Sequence, residues 1–129
     1  MKRLTFVTTA AAALLVYGCG SNPLGPFQPE VSNQPDSFQL QATDVRGVSA
    51  TLTYDWNQSG VVANVDHSTT TTAGQAGLVI RDAMGNQVYA HGLVPSFNDQ
   101  TAAGSAGTWK IILTLTDYSG TLNFRVQAP

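Results

Sequence analysis

Two stretches of this chain alternate apolar and polar residues so strictly that little besides paired β-strands can accommodate them. Phe38, Leu40 and Ala42 interleave with Gln39, Gln41 and Thr43, and Val48, Ala50, Leu52, Tyr54 and Trp56 interleave with Ser49, Thr51, Thr53 and Asp55. Toward the other end Trp109, Ile111, Leu113 and Leu115 share one face, and beyond Asp117, Tyr118, Ser119 and Gly120 so do Leu122, Phe124 and Val126. Successive side chains of a strand point to opposite faces, so each segment offers one face to a core and one to water. Val61 to His67 reads as a further strand, with Val61, Ala63 and Val65 on one face, and Leu78 to Arg81 and Gln87 to Ala90 as two more around a loop containing Gly85. Helical periodicity of useful length is missing from this region. Seven or eight short antiparallel strands predict an all-β fold, an antiparallel β-sandwich of jelly-roll or immunoglobulin-like type.

The run from Trp109 to Val126 changes parity in its middle, from odd to even positions. A tight hairpin accounts for the change: if Asp117 to Gly120 form a four-residue turn, Leu115 meets Leu122, Leu113 meets Phe124 and Ile111 meets Val126, each pair on one face. This reading places Tyr118 at an exposed turn and makes Phe124 a core residue.

Ahead of the strands stands the chain's one cysteine, Cys19. Lys2 and Arg3 form a basic start, Leu4 to Val16 an apolar run, and Gly18 the small residue a signal peptidase requires. The run falls short of the roughly 20 apolar residues of a bilayer span. A lone thiol in an oxidising compartment also has no disulfide partner, and thioether formation would remove that liability. Val16, Tyr17, Gly18 and Cys19 resemble the lipobox of bacterial lipoproteins. The resemblance implies a signal peptide over 1–18, acyl chains on Cys19 and, with Gly20 next in line, a place in the cell envelope at the outer membrane. The following segment, 19–36, carries Pro23, Pro26, Pro29 and Pro35 and reads as an extended tether. The remaining 37–129 suffices for one domain with a real core.

Beyond Cys19 the basic side chains are Arg46, Arg81, Lys110 and Arg125 against eight acidic ones, a side-chain charge of −4. That balance argues against nucleic acid as a partner, since phosphate backbones are held by clustered Lys and Arg. The expected attachment to the membrane is through the N-terminal lipid, with a protein or glycan as further partner.

In the second half, Leu78, Val79 and Ile80 before the Gly85 loop, Ala106 to Leu113 with its Gly107, Thr108, Trp109, and Gly120 to Phe124 together resemble the bacterial pre-peptidase C-terminal domain; the P-type jelly rolls of subtilisin-like proteases have a similar Gly-x-Trp ending. Gly77 stands where those families commonly place an Asp. The resemblance covers roughly 77–127 and implies a non-catalytic domain serving binding, secretion or surface attachment.

Candidate site residues are few. His67 and His91 lie in no recognisable catalytic or metal motif, and Asp66 points away from His67 if both are on a strand. The expectation is therefore a protein that is not an enzyme, without a cofactor. Calcium is the one ion whose preferred oxygen ligands are on offer, from Asp82 and Asn86 around the Gly85 loop, although Asp, Gly and Asn are also what such a loop needs for its own conformation. Tyr54, Trp56 and Trp109 share the apolar stripes and belong to the core. Tyr89, Phe97 and Tyr118 lie off those stripes and are the candidates for ligand contact. The leading expectation is a lipid-anchored protein whose sandwich binds a protein partner; the alternative is a carbohydrate-binding module, which an aromatic cluster at a loop edge or sheet face would favour.

Overall fold

The computed structural model describes residues 29–129, so Cys19, the signal segment and most of the expected tether lie outside the described residues. Seven antiparallel strands are formed: β1 (Glu30–Gln34), β2 (Ser37–Gln58), β3 (Asn64–His67), β4 (Thr70–Arg81), β5 (Gln87–Gly92), β6 (Phe97–Gln100) and β7 (Gly107–Gln127). The all-β antiparallel expectation is met, and the core is made of the residues whose periodicity announced it: Phe38, Leu40, Trp56, Trp109, Ile111, Leu113, Leu122, Phe124 and Val126 are all buried.

The architecture rests on two long strands that fold over. β2 and β7 pair along nearly their whole lengths, from Ser37 with Gln127 to Gln58 with Gly107. Phe38 and Tyr54 lie on the same strand, yet their rings are 5.4 Å apart, whereas a straight strand would separate them by roughly 50 Å at about 3.3 Å per residue. The bend creates two layers. In the first, β1, the N-terminal part of β2, the C-terminal part of β7, β3 and β6 lie side by side; in the second, the remaining parts of β2 and β7 are joined by β4 and β5.

The bend is the first correction to the sequence reading. Asp117 to Gly120 do not turn a hairpin: Leu115 pairs with Ala50 and Ala76, while Leu122 pairs with Ala42. β7 runs through with register shifts, and the parity change that a hairpin would explain is produced by bulges in a continuous strand. Asp44, Gly47, Gly74, Asp117 and Gly120 all have positive φ in this region. Two of the glycines are dictated by close approach, since a Cβ on Gly74 would lie 2.1 Å from the Asp117 carbonyl oxygen and one on Gly120 2.1 Å from that of Thr70. Tyr118, expected at an exposed turn, is fully buried inside the corner. Its hydroxyl donates to the Thr70 carbonyl at 3.1 Å, and burial raises its pKa more than the bond to Thr71 lowers it.

Three smaller differences follow. Glu30–Gln34, assigned to the tether, form β1 and pair with β2. Phe97–Gln100, not read as a strand, form β6 against β3. Val61 precedes β3 and is 51% exposed rather than inward-facing. At the end opposite the corner, Trp56 and Trp109 meet edge to face at 6.0 Å. Their indole N–H groups donate to the carbonyls of Gln34 and Ser105, which meets the need of a buried indole for a partner.

Candidate functional site

The two layers end side by side at β5 and β6, and there the aliphatic core gives way to rings. Tyr89 and His91, two residues apart on β5, share a face and pair with the core residues Ile80 and Leu78, so both point between the layers. From the facing layer His67 on β3 and Phe97 on β6 are directly paired and point the same way. His91 lies 5.0 Å from Phe97 with ring planes 24° apart, 6.3 Å from Tyr89 at 24°, and 5.2 Å from His67 at 75°. Phe97 is 39% exposed and His91 is exposed, whereas Tyr89 and His67 are buried behind them.

Burial biases the pair toward its neutral forms. His67 Nε2 and the Tyr89 hydroxyl are 2.8 Å apart, and His67 Nδ1 has no partner among the described residues. Burial, reinforced by the neighbouring His91, pulls the His67 pKa below its ordinary value against the opposing influence of Asp99 and Asp66. Burial and the adjacent Asp99 carboxylate drive the Tyr89 phenol far above its usual range. His91 bonds through Nδ1 to the Gly92 carbonyl.

Around the edge of the β3–β6 pair the same strands present a polar groove of about 480 Å³, lined by Asn64, Asp66, Asn98, Asp99, Gln100 and Gln127. Internal bonds orient its amides. Gln100 donates to Asn64 Oδ1 at 3.1 Å, and Asn98, with its amide set to suit both neighbours, donates to Asp66 Oδ1 at 3.0 Å and to the Phe97 carbonyl at 3.2 Å. The edge thus offers ring surface on one side of β6 and hydrogen-bonding groups on the other.

The structure sorts the sequence candidates. Tyr89 and Phe97 come together, Tyr89 as buried support and Phe97 as exposed ring. Tyr118 is removed from any surface by the corner. His67 and His91, which no motif joined, are brought into contact by packing of the two layers, and Asp66 faces Asn98 and Arg125 on the other side of the sheet. Asp82 is buried and committed to its own loop: Oδ1 accepts from the backbone N–H groups of Met84 and Asn86, and Oδ2 from that of Ser105. Burial alone would raise its pKa, but these donors outweigh it and hold the carboxyl low. Among the described residues no group of three or more His, Cys, Asp or Glu is placed to hold a metal ion.

No protein-family model matches the chain, and no curated protein sequence does. Among solved structures it is similar to the carbohydrate-binding module CBM6cm-2 of Cellvibrio mixtus lichenase 5A, in complex with cellotriose, at 15% identity and a TM-score of 0.46, over 80% of this chain and 87% of that one.

Proposed function

We propose that this protein is a non-enzymatic binding module, attached to the cell envelope through a lipid on Cys19, and that its open edge takes a glycan. The observation that carries the reading is the ring cluster: Phe97 and His91 expose near-parallel rings beside a groove lined by amides and carboxylates. A sugar has two kinds of surface, C–H faces that pack on aromatic rings and hydroxyls that pair with amide and carboxylate groups, and the edge supplies both. Burial favours neutral His67 and protonated Tyr89, so the inner rings of the cluster serve as apolar support for the exposed ones. A lipid anchor is supported by the basic start, the apolar run and Gly18 before Cys19. It would hold such a module at a membrane surface while leaving the domain free to reach a polymer.

Affinity electrophoresis and calorimetry against neutral polysaccharides test the binding role, with Phe97→Ala as the diagnostic variant. Retention that this variant abolishes supports the reading, and wild-type protein that passes all of them unretarded refutes it. Replacing Cys19 with Ser and fractionating cells tests the anchor; a variant that stays in the membrane at the wild-type mature mass would remove the lipid from the account. A protein partner is the second reading, favoured by Met84 and Val61, exposed at 74% and 51% among the loops at the end opposite the corner.

A further inference from the structure

The outward side of the first layer is unusual for a sheet face. One cross-strand row runs Ser32, Gln39, Arg125, Asp66, Asn98 across all five strands, set by direct pairing at each step. The neighbouring rows add Glu30, Gln41 and Asn123 on one side and Gln34, Ser37, Gln127, Asn64 and Gln100 on the other. Side-chain amides dominate, and neither lysine nor a large apolar residue interrupts these rows. The groove beside the ring cluster occupies one end of this face. A second groove of about 180 Å³ occupies the other end, at β1–β2, lined by Glu30, Ser32, Gln39 and Gln41 with Val31.

We infer that this face binds an internal stretch of an unbranched, uncharged polysaccharide laid across the strands, the β3–β6 groove, around whose edge the rings lie, being one end of a track and the β1–β2 groove the other. The inference rests on the glycan reading above and specifies the form of the ligand. Five strands at about 4.8 Å spacing make a track roughly 19 Å long, longer than one or two sugar rings and suited to a chain of several. The amides present both a donor and an acceptor, which matches the repeating hydroxyls of a polysaccharide better than the one-sided demands of a charged ligand. Gln39, Gln41 and Asn123 make no side-chain hydrogen bond within the protein among the described residues, so their amides are available to a ligand. Arg125 stands midway with Asp66 opposite it, so the track carries no net excess of one sign at its centre.

The test is a ladder of neutral linear oligosaccharides, from disaccharide to hexasaccharide of glucan, xylan and mannan type, titrated into the full-length lipoprotein in detergent. Affinity is expected to rise about tenfold or more along the ladder of whichever series binds. The double variant Gln39→Ala, Gln41→Ala lies at the end of the track away from the rings. It should flatten that rise while leaving disaccharide affinity within about twofold and the melting temperature unchanged. Affinity independent of length, or a double variant with the same ladder as wild type, overturns the track while leaving glycan binding at the ring edge intact. A double variant that weakens every rung equally also overturns it, because the two ends would then not be separate subsites. If no series binds the wild-type protein, the glycan reading itself falls and the track with it.

Discussion

The corner and the open edge of this sandwich are both places where one layer gives way to the other, and they are built from opposite materials. At the corner β2, β4 and β7 pass from layer to layer without leaving the sheet, by bulges, positive φ angles and glycines under direct backbone contact. Side-chain bonds tie it together: Ser49 Oγ accepts from the Asp117 N–H, Ser119 Oγ accepts from the Gly47 N–H, and the Tyr118 hydroxyl donates to the Thr70 carbonyl. At the edge no strand of the described residues crosses. The layers are closed by the rings of His67, Tyr89, His91 and Phe97, of which two remain exposed, and one buried nitrogen, His67 Nδ1, has no partner among the described residues. Backbone and side chains bonded across the corner make a joint, while incompletely covered rings beside hydrogen-bonding groups make a surface with capacity left for a ligand.

The contrast predicts where substitutions cost stability and where they cost binding. The largest effect belongs to Gly74→Ala or Gly120→Ala, where the new methyl meets a carbonyl oxygen and the backbone conformation is one that side chains disfavour. Such variants should fall in the exceptional range above about 4 kcal/mol, seen as loss of the folded signal in chemical denaturation; a shift within experimental scatter would show that the corner yields easily. Tyr118→Ala should cost about 3 to 5 kcal/mol, comparable to Phe124→Ala, since both rings are buried in one core. Tyr118→Phe should cost about 1 to 2 kcal/mol, the loss of the hydrogen bond to the Thr70 carbonyl and of the longer one from the Thr71 hydroxyl. A Tyr118→Ala protein as stable as wild type would return this residue to the exposed turn that the sequence suggested.

These residues also show why the fold was only partly legible. The alternation in β2 and in each half of β7 is local, and it identified the core correctly down to Trp56, Trp109 and Phe124. A parity change has two physical causes, however, a turn or a bulge, and the difference lies in partners far along the chain: Ala50 and Ala76 for Leu115, Ala42 for Leu122. Nothing within 115–122 distinguishes them. The edge was legible in a different way. Tyr89 and Phe97 could be set apart because neither belonged to a long apolar stripe, but their union with His67 and His91 depends on two layers meeting, which no local spacing encodes. β6 was missed because its Phe97–Gln100 segment has a single apolar residue and hence no alternation to read.

At the edge the expected pattern reverses. Phe97→Ala removes a ring already 39% exposed, so its stability cost should stay under about 2 kcal/mol, below the range for a buried aromatic. Glycan affinity should nevertheless fall at least about tenfold if the ring carries a stacking contact. Denaturation and calorimetry on the same preparation separate the two effects. A variant destabilised as much as Tyr118→Ala, yet retaining its ligand, would make the edge a second structural joint and erase the distinction between the two regions.

The smallest effect is a pH dependence confined to the edge. His67 is held below the ordinary imidazole pKa chiefly by burial and secondarily by His91, with Asp99, Asp66 and the Tyr89 hydroxyl as the other titratable groups around it. Across the window between its folded-state pKa and the unfolded value of about 6.5, the unfolded chain binds more protons than the folded one. The stability contributed by neutral His67 is therefore complete above about pH 6.5 and diminishes as the pH falls through that value toward the folded pKa. Asp36 and Asp82, held low by hydrogen bonds from Ser59 and from the Ser105, Asn86 and Met84 backbone, lose their contribution only in the more acidic range below the ordinary carboxylate value. Melting temperatures from about pH 7.5 to about pH 5 should thus decline gently in the wild type and stay flatter in His67→Gln, where no group at that position titrates. His91→Gln should lessen the decline without abolishing it, because burial is the larger cause. A wild-type profile that is level over this range, or one that rises on acidification, would show that protonating His67 costs the fold nothing and that the ring cluster is open to water throughout.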